Sequence, residues 1–311
     1  MQQARVYAPA TIGNIGPGFD VLGLAITNLG DIVEARKTRS PGIEIVRIKG
    51  EGGGKLPLET EKNTAGIAAV KALERIGESG GATLVIEKGI PFPSGLGSSA
   101  ASAVAGAAAI NYLFDERLSA EELLIVATEA EAAVSGGCFA DNTAAALYGG
   151  CVVTHVENGN IRAVPVGWIP DATIVVAIPE IPMPTAKSRA ALPKRVPIGD
   201  FVTNMANTAI MVAAVAKRDA RMFGGAVDDR IIEPARKKMI EGFDDVKAAA
   251  LKRGAFGCSI AGAGASVFAV CHRNSAYSRI GEAMKLAFKK HGVECRVHVC
   301  NMDKKGTRLV R

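Results

Sequence analysis

The chain has 311 residues, 48% hydrophobic and 22% charged, which is ordinary usage for a folded protein and enough length for two domains. That excludes a disordered tail, and no uncharged run reaches the roughly 18 apolar residues of a membrane span. Thirty-seven basic against 31 acidic residues give a net charge of +6, which favours anionic ligands, but aromatics at 5% and scattered basic residues argue against a nucleic-acid surface.

Chain order begins with MQQARVYAPAT, which lacks the basic and then apolar pattern of a secretory leader, so a cytoplasmic protein with no membrane attachment is expected. Short strands are predicted at 5–8, 31–36, 43–49 and 82–87. Between the last two, Asn63 to Gly77 carries one apolar face at helical spacing. A second helix is expected over Ser98–Leu113. A third starts at Ser119, where Ser-Ala-Glu-Glu forms a capping box, and stops near Gly136-Gly137. Strands follow at 151–156, 161–166 and 173–178. The segment 179–197 holds five prolines and reads as a long functional loop. Helices are predicted at 201–217, 231–240 and 243–253, then strand 255–260, loop 261–265, strand 266–270, helix 277–291 and strand 294–299. The closing MDKKGTRLVR reads as a solvated tail. Helices and strands alternate without regular βαβ units, so the class is α+β, with a boundary near Pro170 dividing the chain into domains of about 1–165 and 170–311.

Six cysteines form no CxxC and four histidines form no HExxH, so no zinc site is supported and buried reduced thiols are expected. The most informative segment is PFPSGLGSSAA, from Pro91 to Ala101. Gly95 and Gly97 would let the backbone approach a ligand, and Ser98 and Ser99 open a helix whose first amides form an anion site. No lysine lies between Gly89 and Ala101, so the loop is not a Walker A motif. GLGSSA matches the dinucleotide fingerprint, but seven residues with two prolines separate it from its strand, and Asp115 ends a helix instead of a second strand.

PxxSGLGSSAA resembles the ATP loop of the GHMP kinases. APATIGNIGPGFDVLGLAI at 8–26 resembles that family's N-terminal motif, and SIAGAGASVFAV at 259–270 resembles its glycine-rich C-terminal motif, with Ala265 where proline is usual. Within the family, FADNTAAALYGG (139–150), PTAKSRAALP (184–193) and EPAR (233–236) are similar to segments of the homoserine kinases that line the amino-acid site. The resemblance implies a two-domain fold: an N-terminal ATP-binding α+β domain and a C-terminal ferredoxin-like α+β domain. It implies ATP and Mg²⁺ as cofactors and L-homoserine as the small-molecule substrate, and it leaves a homodimer open.

Residue by residue, the resemblance places ATP on Asn63 and on Pro91, Phe92, Pro93, Ser94, Gly95, Leu96, Gly97, Ser98, Ser99, Ala100 and Ala101. Magnesium falls to Ser99 and Glu131, with Glu129 as the alternative carboxylate. Asp20 would pair with the substrate ammonium and Asn14 would bond its polar end. Arg189 and Arg236 would clamp its carboxylate, for which guanidinium forks are suited, with Thr185 beside them. Asn142 would position the hydroxyl, with Asp141 as an uncertain base. Two other readings remain: a GHMP kinase for another small alcohol such as mevalonate or shikimate, and a GHMP-fold sensor that binds without turnover.

Overall fold

The protein is described by a computed structural model covering residues 1–183 and 185–310, without the side chains of Ser135, Thr185 and Ala186. Its first sheet is organised by one long strand. β1 (Gln3–Gly13) pairs antiparallel with β2 (Leu22–Thr38), whose 17 residues also bind β4 (Gly81–Lys88) along their second half and β5 (Cys151–Glu157) at their start. β3 (Gly42–Gly50) joins β4 in parallel, and β6 (Asn160–Gly167) extends β5. Alternate residues of β2 and β4 are buried, the period-2 pattern of a sheet packed on one face.

Four helices cover that face. α1 (Thr64–Ile76) starts at Asn63, whose side chain accepts from the Ala65 amide, and ends on left-handed Gly77. α2 (Ser98–Leu113) is built mostly from Ala, Ser and Gly, and is buried along nearly its whole length between the sheet and its neighbours. Small side chains explain the fit: a Cβ on Gly106 would stand 2.5 Å from the Ala65 carbonyl oxygen of α1. α3 (Ala120–Ser135) carries the expected capping box of Ser119 and Glu122. α4 (Asp141–Tyr148) was not foreseen, although Gly149 and Gly150 mark its end.

Beyond Gly167 the chain builds a second sheet. β7 (Ala172–Pro179), β8 (Gly257–Ile260), β9 (Val267–His272) and β10 (Cys295–Asn301) lie antiparallel in the order β10-β7-β9-β8. Helices separate the first strand from the second and the third from the fourth, which is the expected ferredoxin-like arrangement. α9 (Phe243–Lys252) and α10 (Tyr277–Lys290) pack on it through Val246, Ile280, Met284 and Phe288. The remaining helices are α5 (Thr185–Ala190), α6 (Ile198–Lys217), α7 (Ala220–Gly225) and α8 (Ile232–Arg236). α5 breaks the proline-rich segment that reads as a continuous loop.

Two further expectations are corrected. The C-terminal segment is no solvated tail: β11 (Arg308–Leu309) pairs with β1, Met302 and Asp303 are buried, and the Gly150 amide donates to the Asp303 carbonyl at 2.6 Å. The sheet gains an edge partner, which a run of charged residues disguised. Cys138 is exposed, while the other five thiols are buried and free.

The α1–α2 contact generates a prediction. Gly106→Ala forces a methyl against the Ala65 carbonyl, an overpacking of about 1–3 kcal/mol, so the melting temperature should fall by several degrees in a thermal scan. An unchanged melting temperature would mean that the two helices separate freely.

Candidate active site

Three glycine-rich segments meet where α2 begins. The Thr11 amide of β1 donates to the Leu96 carbonyl at 3.0 Å, the Gly262 amide to the Gly13 carbonyl at 3.2 Å, and the Ser266 amide to the Ser94 carbonyl at 3.3 Å. Glycine at 95 serves this meeting more than ligand approach. Its φ is 76°, and a Cβ there would lie 2.5 Å from the Gly264 carbonyl oxygen.

Lys88 was missed in the sequence because it precedes Gly89, outside the window of a Walker lysine. Its buried ammonium sits behind the loop, donating to the Asp31 carboxylate, to Ser102 Oγ at 2.6 Å and to the Ser98 carbonyl at 3.1 Å. Asp31 also accepts from the Gly89 and Ile90 amides at 3.0 and 3.2 Å. The Ser98 hydroxyl turns back toward Asp31 at 3.4 Å, so the serine that faces outward in this turn is Ser99, whose hydroxyl meets Thr64 Oγ1 at 3.3 Å.

On either side of this helix start lies a hollow. One, about 150 Å³, has apolar walls from Leu56, Pro57, Ile86 and Val134 together with Asn63 and Lys88. Asn63 lines it while its amide is engaged with the Ala65 amide and the Pro57 carbonyl. The other, about 190 Å³, is charged and gathers Asn14, Asp20, Glu131, Asp141, Asn142, Arg189 and Arg236 around the loop. Phe92, Ser98 and Ser99 belong to both. Pro91, Leu96 and Ala101 are buried and line neither, while the loop from Phe92 to Ala100 otherwise borders the charged hollow. The Thr185 side chain lies outside the described residues.

Within the charged hollow, Arg189 forks onto Asp20 with Nη1 and Nη2 at 3.1 and 2.9 Å, and its guanidinium lies 3.7 Å from the Phe139 ring centre. Arg236 donates to the Gly262 carbonyl at 2.8 Å and stacks on Phe19 at 5.3 Å. Burial, with Arg189 close by, lowers its pKa below the ordinary arginine value. Asn14 is spent on architecture: its amide group donates to the Gly262 carbonyl at 3.0 Å and accepts from the Asp20 amide at 3.0 Å. Arg236 is carried on α8, whose first amides are held by a residue sequence reasoning missed. Asp229, buried, accepts from the amides of Ile231, Ile232 and Glu233 and from Asn204 Nδ2, all within 2.8–2.9 Å. An Asp two to four residues before a short apolar run is the capping signal that would have found it.

Asp141 and Asn142 open α4 and face β1. Asn142 Oδ1 accepts from Thr11 Oγ1 at 2.8 Å, and its Nδ2 donates to Asp141 at 3.2 Å. Burial, and then the neighbouring Asp20, push the Asp141 pKa up to about 6. Glu131 on α3 is pushed up to about 7 by burial, against the Ser99 hydroxyl bond and the charge of Lys88. Glu129 is elsewhere, paired with Lys71 at 2.8 Å on the outer surface. Among the described residues, the buried side-chain polar atoms without a partner are Ser94 Oγ, Glu131 Oε2, Arg236 Nε and Ser266 Oγ, all in the segments that form this site. Unsatisfied buried groups are costly, and their concentration here marks a place prepared for a polar ligand.

Raised carboxyl pKa values have a signed consequence. The folded, ligand-free protein holds protons on Glu131 and Asp141 that the unfolded chain has released, so stability falls as pH rises from about 4 to about 7. Glu131→Gln should flatten part of that fall, narrowing its melting-temperature difference from wild type at pH 5 and placing it above wild type at pH 8. Parallel curves for the two proteins across this range would contradict the buried assignment of Glu131.

Comparison with known proteins agrees with this architecture. The family model "GHMP kinases N terminal domain" matches residues 63–150 and "GHMP kinases C terminal" matches 211–290. The chain is 39% identical to a homoserine kinase of Natronomonas pharaonis over 295 residues, covering 94% of this chain and 95% of that one. It is 42% identical to a homoserine kinase of Arabidopsis thaliana, covering 98% of this chain and 84% of that one. The crystal structure of homoserine kinase from Cytophaga hutchinsonii superposes with a TM-score of 0.94 at 38% identity, covering 100% of this chain and 98% of that one. The chain therefore belongs to the GHMP kinase family and, within it, to the homoserine kinases.

Proposed function

We propose that this chain is an ATP-dependent homoserine kinase of the cytoplasm, transferring the γ-phosphoryl group of ATP to the side-chain hydroxyl of L-homoserine and releasing ADP and O-phospho-L-homoserine, a step toward threonine. The observation that carries this reading is the pair of hollows flanking the start of α2. One is apolar and suits a nucleotide base; the other offers a carboxylate and two guanidiniums to a zwitterion. The helix start between them supplies free amides and a positive dipole end for phosphate oxygens. The N-terminal domain (about 1–165) carries ATP on this reading, and the C-terminal domain (about 170–311) closes the charged hollow through Arg189 and Arg236.

In the charged hollow, Arg189 and Arg236 receive the substrate carboxylate and Asp20 its ammonium, and the family resemblance adds Thr185 to the carboxylate side. The Asp20–Arg189 pair opens to let the zwitterion in, each half exchanging one opposite charge for another. Mevalonate and shikimate carry a carboxylate without an ammonium and would leave Asp20 bare. A non-catalytic sensor would have no use for the unpartnered Glu131 oxygen beside Ser99.

Phosphoryl transfer asks the protein for position and charge more than for covalent chemistry. The substrate hydroxyl oxygen forms a bond to the γ-phosphorus as the bond to the ADP oxygen breaks, and the hydroxyl proton leaves late, toward a phosphoryl oxygen. Asn142, fixed by Thr11 and Asp141, has an amide oxygen to aim that hydroxyl. Asp141 accepts from the Asn14 amide at 3.2 Å and from Asn142, which makes it the anchor of the asparagine. Magnesium fits the donor set: a buried carboxylate oxygen without a partner and one serine are what Mg²⁺ takes from a protein when ATP phosphates and waters complete its shell. When bound, it would neutralise charge on the phosphates, held by Glu131 and Ser99.

Coupled ADP release over L-homoserine, mevalonate and shikimate tests the assignment. L-Homoserine should exceed the others by at least about 30-fold in kcat/KM, the equivalent of roughly 2 kcal/mol for a lost charged contact. Equal turnover of an alcohol without an amine would refute it. Asn142→Ala should damage kcat more than Asp141→Asn. A loss of about 10²–10⁴-fold in Asp141→Asn, with disappearance of the acidic limb of its pH profile, would instead make Asp141 the base.

A further inference from the structure

The stretch that carries Arg189 has almost no core of its own. From 187 to 199 one residue is buried, Ser188, at 0% exposure, and the rest are exposed or half-buried. Serine is an unusual residue to sink alone, because its hydroxyl must find a partner out of water. Ser188 Oγ donates to the Ala263 carbonyl at 2.8 Å. Among the described residues, the only other side-chain bond from 187–197 to the rest of the protein is the Arg189 fork on Asp20.

We infer that Ser188 is a positioning residue for the substrate: by docking α5 on the C-terminal glycine loop, it sets where Arg189 meets the ligand carboxylate. This rests on the reading that Arg189 receives that carboxylate. Adjacent carbonyls of one loop hold both arginines, Gly262 accepting from Arg236 Nη1 and Ala263 from Ser188, each at 2.8 Å. The loop is itself fixed, its Gly262 amide on the Gly13 carbonyl and its Gly264 amide on the Ala261 carbonyl at 2.9 Å. One tied turn therefore sets the spacing of two guanidiniums that would otherwise repel each other. Helix geometry carries the setting to Arg189. Successive residues stand about 100° apart around a helix, so pinning Ser188 inward fixes the bearing of its neighbour. On the N-terminal side, Met183 is buried in the core of the second sheet, its methyl in the space that a Cβ on Gly264 would take.

The Asp20 fork cannot serve as this anchor. A zwitterion entering the hollow exchanges the fork for its own charges, so the fork is lost when the position of the arginine matters. Phe139, 3.7 Å from the guanidinium, steadies its plane and leaves the backbone of α5 unheld. Ser188 does not line the charged hollow, so its bond survives the exchange.

Steady-state kinetics on the full chain, with Ser188→Ala, Arg189→Ala and the double variant, test the inference beside timed trypsin digestion. Ser188→Ala removes one oxygen atom and should keep native circular dichroism. Its KM for L-homoserine should rise about 3- to 10-fold, the worth of one hydrogen bond, with kcat and the KM for ATP held within about twofold. Added to Arg189→Ala, it should change KM no further. Trypsin should cut after Lys187, Lys194 or Arg195 several-fold faster in Ser188→Ala than in wild type. Contradicting results are an unaltered KM for L-homoserine, an equal rise in both KM values, or multiplying effects in the double variant. Wild type inactive on L-homoserine would overturn the kinase reading and this inference with it. An unaltered cleavage rate would overturn the anchor and leave the kinase reading standing.

Discussion

A buried ion pair beneath the first turn of α2 is the constraint on which the site depends. Lys88 and Asp31 are both removed from water, and each uses its remaining capacity on the loop: Lys88 on the Ser98 carbonyl, Asp31 on the Gly89 and Ile90 amides, and both on Ser102. Buried charges are tolerated when every donor and acceptor is engaged, and removing one partner costs about 3–5 kcal/mol. The pair therefore specifies more than it stabilises. It ties the end of β4, the middle of β2 and the start of α2 at one point, so the amides facing the ligand hold a fixed position relative to the sheet. It also supplies a positive charge near Glu131 from behind, leaving the front of the loop open.

The second organising feature is a joint between distant parts of the chain. The Gly262 carbonyl accepts from Asn14 and Arg236, and its amide donates to Gly13. One peptide of the C-terminal motif thus positions the N-terminal motif and the Arg236 guanidinium together. Asp20 and Arg189 are brought from residues 169 positions apart into a bidentate pair over Phe19 and Phe139. Without a ligand Asp20 and Arg189 satisfy each other, and among the described residues the buried side-chain polar atoms left without a partner lie in the segments that form the site.

Local signals account for what the sequence disclosed. Asn63 and Gly77 bracket α1, Ser119 and Glu122 start α3, and the glycine–serine loop announces the anion site because its chemistry is contiguous. That loop with the N-terminal and C-terminal motifs, at 8–26 and 259–270, disclosed the fold, and the three segments similar to the amino-acid site disclosed further candidate residues. Long-range packing explains the rest. Lys88 stood outside the motif window, and its burial follows from β4 lying against α2. Asp229 acts through tertiary contact with Asn204. The C-terminal segment looks like a polar tail, yet Asp303 gathers the amides of Lys305 and Gly306 and the Arg308 guanidinium, folding it onto β1. Charge composition alone does not reveal that these groups satisfy one another.

Recognition of a zwitterion by split charges is the central claim, and a two-by-two comparison tests it most directly. Wild type and Asp20→Asn are each assayed for kcat/KM on L-homoserine and on 4-hydroxybutyrate, which keeps the hydroxyl and carboxylate and lacks the amine. Asp20→Asn should lower kcat/KM steeply on L-homoserine and little on 4-hydroxybutyrate, so the preference between the two substrates collapses. An equal loss on both would show that Asp20 only braces Arg189 and that the ammonium is read elsewhere.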